Sequence, residues 1–260
     1  MKTKYDYIAV FDSGVGGLSV LRQLRQTMPG ERYVYYGDSA NAPYGTRPTD
    51  QVRQLTMEAA QMLNQRYPLK AMVVACNTAT AAAVDLLRQT YPELIVVGIE
   101  PAIKLAADRF PGGRIGVMAT SVTLREQKFN DLLHRVEGSC SIVKIPAPGL
   151  VELVESGKAH SLEARELLDE LLAPYRNRLD ALVLGCTHYP FAADTIAEAV
   201  GDQVCLLDGS LGTAQQTQQA PLCLLEAGLL ENGPGQTIIT NSAQDPEYIR
   251  LSWQLLTAGR

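Results

Sequence analysis

Short apolar runs recur along the chain at 5–11, 33–36, 71–75, 94–97, 115–118, 141–145, 181–184, 204–207 and 237–240. Each has the length of a strand, and a near-continuous apolar run of that size suits a strand covered on both faces. Between them, 50–66, 79–89 and 163–172 carry apolar residues at helical spacing and are predicted as amphipathic helices. This alternation predicts an α/β fold of mostly parallel sheets with helices over their faces. Pro111-Gly-Gly113, Ala147-Pro-Gly149 and Asn232-Gly-Pro-Gly235 read as turns, and none is long enough to be a flexible linker.

The pattern also repeats. Ala71-Met-Val-Val-Ala-Cys76-Asn-Thr78 and Ala181-Leu-Val-Leu-Gly-Cys186-Thr-His188 are apolar runs ending in a small residue and a cysteine, 110 residues apart from Cys76 to Cys186. Ile8-Ala-Val-Phe-Asp12-Ser13 and Ile115-Gly-Val-Met-Ala119-Thr120 match at 107 residues, Ser13 to Thr120. Short strands can resemble one another by chance, but two matches at similar offsets argue for an internal repeat. A chain of 260 residues then divides into two similar lobes, each large enough for its own core. The second copy runs from near Gly98 to near Leu207, so the expected lobes are 1–97 with 208–260, and 98–207. Two crossings between them favour hinged opening and closing around a cleft.

Charge and composition narrow the partner. The formal net charge is −5, and no run of Lys or Arg marks a nucleic-acid surface, so a small molecule is expected. No stretch reaches the roughly eighteen apolar residues of a membrane span, and Met1-Lys-Thr-Lys-Tyr5 leads straight into a strand without a secretory signal. The expected location is cytoplasmic. Five cysteines at wide spacings (Cys76, Cys140, Cys186, Cys205 and Cys223) suit a reducing compartment better than a disulfide framework. A zinc site would need clustered ligands, and Cys186 with His188 is the only close pair of Cys or His, so no metal site is expected.

Ligands of α/β proteins bind at the carboxyl ends of parallel strands, which is where the repeated cysteines fall. Cys76 precedes the helix-forming Asn77-Thr-Ala-Thr-Ala-Ala-Ala83, and the free N–H groups of a helix N-terminus favour a thiolate. Cys186 is read in the same setting, with Pro190 suited to the first helical turn. If the lobes face each other, a substrate between them meets a thiol on either side, as inversion of a carbon centre requires. The alternative, buried structural cysteine, is the reading adopted for Cys140, Cys205 and Cys223.

Asp12-Ser13-Gly-Val-Gly-Gly17 ends the first strand with glycines that let backbone approach a ligand. Its partial match to a dinucleotide motif fails at Ser19 and leaves the cysteines unexplained. The polar segment from Gly37 to Gly45 is either a connection or a substrate lid. Thr120 and Thr123 are hydroxyl donors suited to a carboxylate, or helix caps. Glu152 follows Pro148-Gly149 in an early helical position, where it serves either a site or the helix dipole. His188, two residues past Cys186, is placed to tune that thiol.

Taken together, Phe11-Asp-Ser-Gly-Val-Gly-Gly-Leu-Ser19, Gly37-Asp38 with Pro43-Tyr-Gly45, Ala75-Cys-Asn-Thr78 and Gly185-Cys-Thr-His-Tyr-Pro190 resemble the glutamate racemases of the cofactor-independent aspartate/glutamate racemase superfamily. The likeness covers essentially the whole chain. It implies two pseudo-symmetric α/β domains with the active site in the cleft between them, and interconversion of L- and D-glutamate for peptidoglycan without a cofactor. By the same resemblance Cys76 is the base toward the D-enantiomer and Cys186 toward the L-enantiomer, assisted by Asp12, His188 and Glu152. Ser13, Asn77, Thr78, Thr120, Thr123 and Thr187, with Asp12, His188 and the Tyr44-Gly45 loop, are implied as substrate contacts. A tyrosine common in the family beyond Thr123 is replaced near Lys128 and Phe129, and the short N-terminus implies no regulation by a cell-wall precursor. A homodimer is left open. Aspartate racemisation, a redox couple of Cys76 and Cys186, and a non-catalytic amino-acid-binding module are the competing readings.

Overall fold

Nine parallel strands form two sheets in the computed structural model, which describes residues 6–220 and 235–257 and, of Lys128, only the backbone. The first sheet holds β1 (Tyr7–Asp12), β2 (Tyr33–Gly37), β3 (Leu69–Val74), β4 (Ile95–Gly98) and β9 (Thr237–Asn241), in the order β4-β3-β1-β2-β9. The second holds β5 (Arg114–Ala119), β6 (Ser141–Pro146), β7 (Ala181–Leu184) and β8 (Cys205–Asp208), in the order β6-β5-β7-β8. Each expected strand forms, with ends shifted by a residue or two. Tyr5, Cys223 and the first part of the turn before Gly235 lie outside the described residues.

The sheets share one topology. Strands β2-β1-β3-β4 occur in the same relative order as β6-β5-β7-β8, and β1 pairs Ile8 with Ala71 just as β5 pairs Ile115 with Ala181. These are the residues that open the repeated sequence segments. The chain passes between the sheets twice, after β4 and after β8, and β9 then joins the first sheet at β2.

Burial on both faces explains the unbroken apolar runs. Ile8 and Val10 of β1 pack on one side with Leu18, Leu21 and Leu24 of α1 (Leu18–Thr27). Ala9 and Phe11 pack on the other with α2 (Thr49–Arg66) and α3 (Asn77–Thr90). The second sheet is covered by α4 (Ile103–Arg109), α5 (Gln127–His134), α6 (Leu150–Glu155), α7 (Leu162–Leu172) and α8 (Ala193–Val200). Helices α9 (Ser210–Gln218) and α10 (Pro246–Thr257) both pack on α1. The α1-side core continues into the second lobe through Met118, Leu150, Val154, Cys186 and Tyr189, so the lobes meet along a shared apolar layer. No helix among the described residues is long and apolar enough to cross a membrane.

Candidate active site

Loops at the carboxyl ends of β1 and β3 meet those of β5 and β7 between the two sheets. Cys76 follows β3 and caps α3, its Sγ accepting the Ala79 N–H at 3.4 Å. Ser13, after β1, lies with its Oγ 3.4 Å from the same sulfur. Burial first, and then the Asp12 carboxylate, push the Cys76 thiol up to about 12, while the Ser13 and Ala79 donors act against that rise. The charge of Cys186 adds to it, so the two sulfurs sense each other across one site.

Asp12 is fully buried. Its Oδ1 accepts the Gly14 N–H at 2.9 Å and its Oδ2 accepts the Thr187 hydroxyl at 2.9 Å, tying the first lobe to the second. Burial raises its pKa, although the His188 charge and both hydrogen bonds pull the other way. Nearby, Thr78 of α3 and Thr120 and Thr123 after β5 form a triangle of hydroxyls with sides of 3.1, 3.2 and 3.0 Å. Gly45 packs on Thr120 so closely that a Cβ there would lie 2.6 Å from the threonine side chain. Tyr44 donates to Asp38 Oδ2 at 2.7 Å, and burial with that carboxylate raises its pKa far enough to keep the phenol a donor. The Asn77 Oδ1 is buried without a hydrogen-bond partner among the described residues, an acceptor awaiting a donor. Asn77 also lines a small recess with Thr123 and Phe129.

Around Cys186 the local structure differs from expectation. The residue opens a turn closed by Tyr189 N–H to the Cys186 carbonyl, and Pro190 falls in a short 3-10 helix, Tyr189–Ala192, ahead of α8. Cys186 therefore does not cap an α-helix. Its sulfur instead faces His188 Nδ1 at 3.7 Å, and His188 Nε2 lies 2.6 Å from Glu155 Oε1. Burial opposes charge on His188, but the contacts with Cys186 and Glu155 outweigh it and hold the imidazole pKa well above its ordinary value.

Glu152, the carboxylate expected beside these residues, is exposed and does not reach His188; Glu155, one turn further along α6, is the carboxylate in contact with it. With Leu150, Val151, Leu153 and Val154 buried, Glu152 projects about 180° from the centre of the apolar face, whereas Glu155 flanks Val151. That wheel was available in the sequence. Glu152 instead lines a surface cleft of about 530 Å³ with Ser39, Pro43 and Tyr248, and a small recess with Gly45 and Thr120.

The glycine loop after β1 is explained by what crosses over it. A Cβ on Gly14 would sit 1.7 Å from Glu155 Oε1, and one on Gly16 would sit 2.4 Å from His188 Nδ1. The loop also gives its Val15 N–H to Glu155 Oε1 at 2.6 Å. Phe129 is buried in the core of the second lobe and brings no hydroxyl to the site. Cys140 and Cys205 are partly buried free thiols beside that core. Among the described residues, no group of three or more His, Cys, Asp or Glu side chains is placed to hold a metal ion.

A profile of the Asp/Glu/Hydantoin racemase family matches residues 15–217. The glutamate racemase of Clostridium novyi is 43% identical over 251 residues, 96% of each chain. Among solved structures, a glutamate racemase isoform from Bacillus anthracis superposes with a TM-score of 0.84 at 29% identity, covering 98% of this chain and 96% of that one. The glutamate racemase of Francisella tularensis, solved in complex with D-glutamate, gives 0.81 at 26% identity, covering 98% and 95%.

Proposed function

The chain belongs to the Asp/Glu/Hydantoin racemase family, and from that premise we propose that it interconverts L- and D-glutamate by two-base proton transfer at Cα, without a cofactor. The observation that carries the reading is the pair of buried thiols, one at each of two topologically equivalent strand ends, facing one site. The substrate assignment rests on the relatives, which are glutamate racemases over nearly their full length.

An amino-acid α-proton is weakly acidic, so the site must supply a base on one face and an acid on the other. In this reading Cys186 takes the proton from L-glutamate while the Cys76 thiol delivers one from the opposite side, and the roles reverse for D-glutamate. The resting state suits the first direction. Cys76 is held protonated by its burial, and an imidazolium 3.7 Å from Cys186 is the counter-charge a thiolate needs. Charge that moves from Cα into the α-carboxylate is met by hydroxyls of the Ser13, Thr78, Thr120, Thr123 and Thr187 set, while Asn77 Oδ1 takes the substrate ammonium. Glu155 replaces Glu152 as the carboxylate that assists His188. The lobes are taken as 1–97 with 208–260, and 98–207, and the physiological role as supply of D-glutamate for peptidoglycan in the cytoplasm.

The test is incubation with L-glutamate in deuterated water without added cofactor. The optical signal should decay to zero as D-glutamate accumulates with solvent deuterium at Cα, while aspartate turns over far more slowly. No racemisation, or protium retained at Cα in every turnover, would overturn the reading.

A further inference from the structure

Cys186 is connected to the far edge of the first sheet by an unbroken run of polar contacts. From Cys186 Sγ it passes to His188 Nδ1 at 3.7 Å and from His188 Nε2 to Glu155 Oε1 at 2.6 Å. The other carboxylate oxygen, Glu155 Oε2, accepts the Ser39 hydroxyl at 3.1 Å. Ser39 Oγ in turn accepts from Asn241 Nδ2 at 2.9 Å. Asn241 is the last residue of β9, and its Oδ1 is occupied by the Ala243 N–H at 2.8 Å. With Oδ1 taken, the amide can only donate to Ser39, which directs the Ser39 proton toward Glu155. Ser39 is buried, and it begins the short helical turn Ser39–Asn41 directly after β2.

Resting on the racemase reading above, we propose that Ser39 and Asn241 are positioning residues for the Cys186 half of the reaction, fixing the Glu155 carboxylate so that His188 stays aimed at the sulfur. Glu155 belongs to the second lobe, whereas Ser39, Asn241 and the Val15 N–H belong to the first. The carboxylate therefore reaches its working orientation only where the lobes meet. This couples closure of the site to the readiness of one thiol but not the other, since Cys76 takes its contacts from Ser13 and Ala79 within the first lobe.

The test measures steady-state glutamate racemisation across pH for the wild-type chain and for Ser39→Ala, Ser39→Thr and Asn241→Asp. Loss of one hydrogen bond to a charged group predicts that Ser39→Ala lowers kcat about tenfold with KM little changed. Its alkaline limb should move to lower pH, because a Glu155 carboxylate no longer held by Ser39 can turn away from His188 and favours the imidazolium less. Ser39→Thr keeps the hydroxyl, has room for its methyl in the 530 Å³ cleft, and should recover most of the rate. Asn241→Asp keeps the Ala243 contact but accepts from Ser39 instead of donating, so it should lower kcat about as much as Ser39→Ala. Wild-type kcat and pH profile in Ser39→Ala would overturn the proposal. So would a loss that Thr fails to rescue, or that leaves the alkaline limb in place. A wild-type chain inert toward glutamate would instead sink the racemase reading itself.

Discussion

Cys76 and Cys186 end equivalent strands of equivalent sheets, yet their surroundings differ in kind. Cys76 caps a helix of 14 residues and meets a hydroxyl, a backbone N–H and the field of a buried carboxylate. Cys186 sits in a turn and meets an imidazole backed by Glu155. Neutral donors only partly offset the burial of the first sulfur, whereas an imidazolium supplies counter-charge to the second. The repeated backbone thus positions two sulfurs symmetrically, while the side chains around them give each a different electrostatic setting.

The sharpest way to break this comparison is to remove one thiol at a time. Cys76→Ala and Cys186→Ala should each lower racemisation by about 10³-fold or more. Proton exchange at Cα, followed by NMR in deuterated water, should survive from one face only: with L-glutamate when Cys186 remains, and with D-glutamate when Cys76 remains. The two survivors should also differ in pH dependence. Exchange by Cys76 should climb about tenfold per pH unit toward its raised value of about 12, because the thiolate fraction rises by that factor. Matching profiles would mean that the side chains around the sulfurs do not set their roles.

A smaller effect separates the two carboxylates of α6. Glu155→Gln should lower kcat about 10²-fold by removing the charge opposite His188, while Glu152→Gln should stay within about twofold. The reverse ranking would restore Glu152 as the assisting residue.

Asp12→Asn should show the smallest shift, and in stability its sign is favourable. Asp12 has a folded-state pKa above its unfolded value, so the wild-type fold loses stability as pH rises from about 4 through the raised value. Asparagine removes that penalty and can keep the Gly14 and Thr187 contacts, so the midpoint at pH 7 should rise, by about 2–4 °C per kcal/mol gained. The gain should vanish below about pH 4, where the aspartate is protonated in both states. A melting point lowered at pH 7 would show that the His188 attraction outweighs the burial of the charge. Racemisation should fall in the same variant.

Much of this molecule was legible as sequence because its causes are local. A strand buried on both faces must be apolar along its length, so all nine strands could be placed, and the register shared by Ile8 with Ala71 and Ile115 with Ala181 follows from the same repeat that marked the cysteines. Residues flanking those strands, from Asp12 and Ser13 to Thr187 and His188, come with them into the site. The setting of Cys186 was harder to read, because Pro190 suits a 3-10 helix as well as an α-helix and the Tyr189–Cys186 turn selects the former.

What the chain alone determined is therefore the pair of sheets, the two sulfurs at their ends and the polar residues next in line. That Glu155 meets His188, and that Ser39 and Asn241 lie behind Glu155, was decided only by tertiary packing. Glu152 and Glu155 are three residues apart on one helix, and Asn241 is 202 residues from Ser39. Their roles depend on how α6 is rotated against the first lobe and on where β9 joins the sheet. Contacts between distant segments fix both; hydrophobic periodicity marks the face of α6 that turns inward but not the groups that face meets.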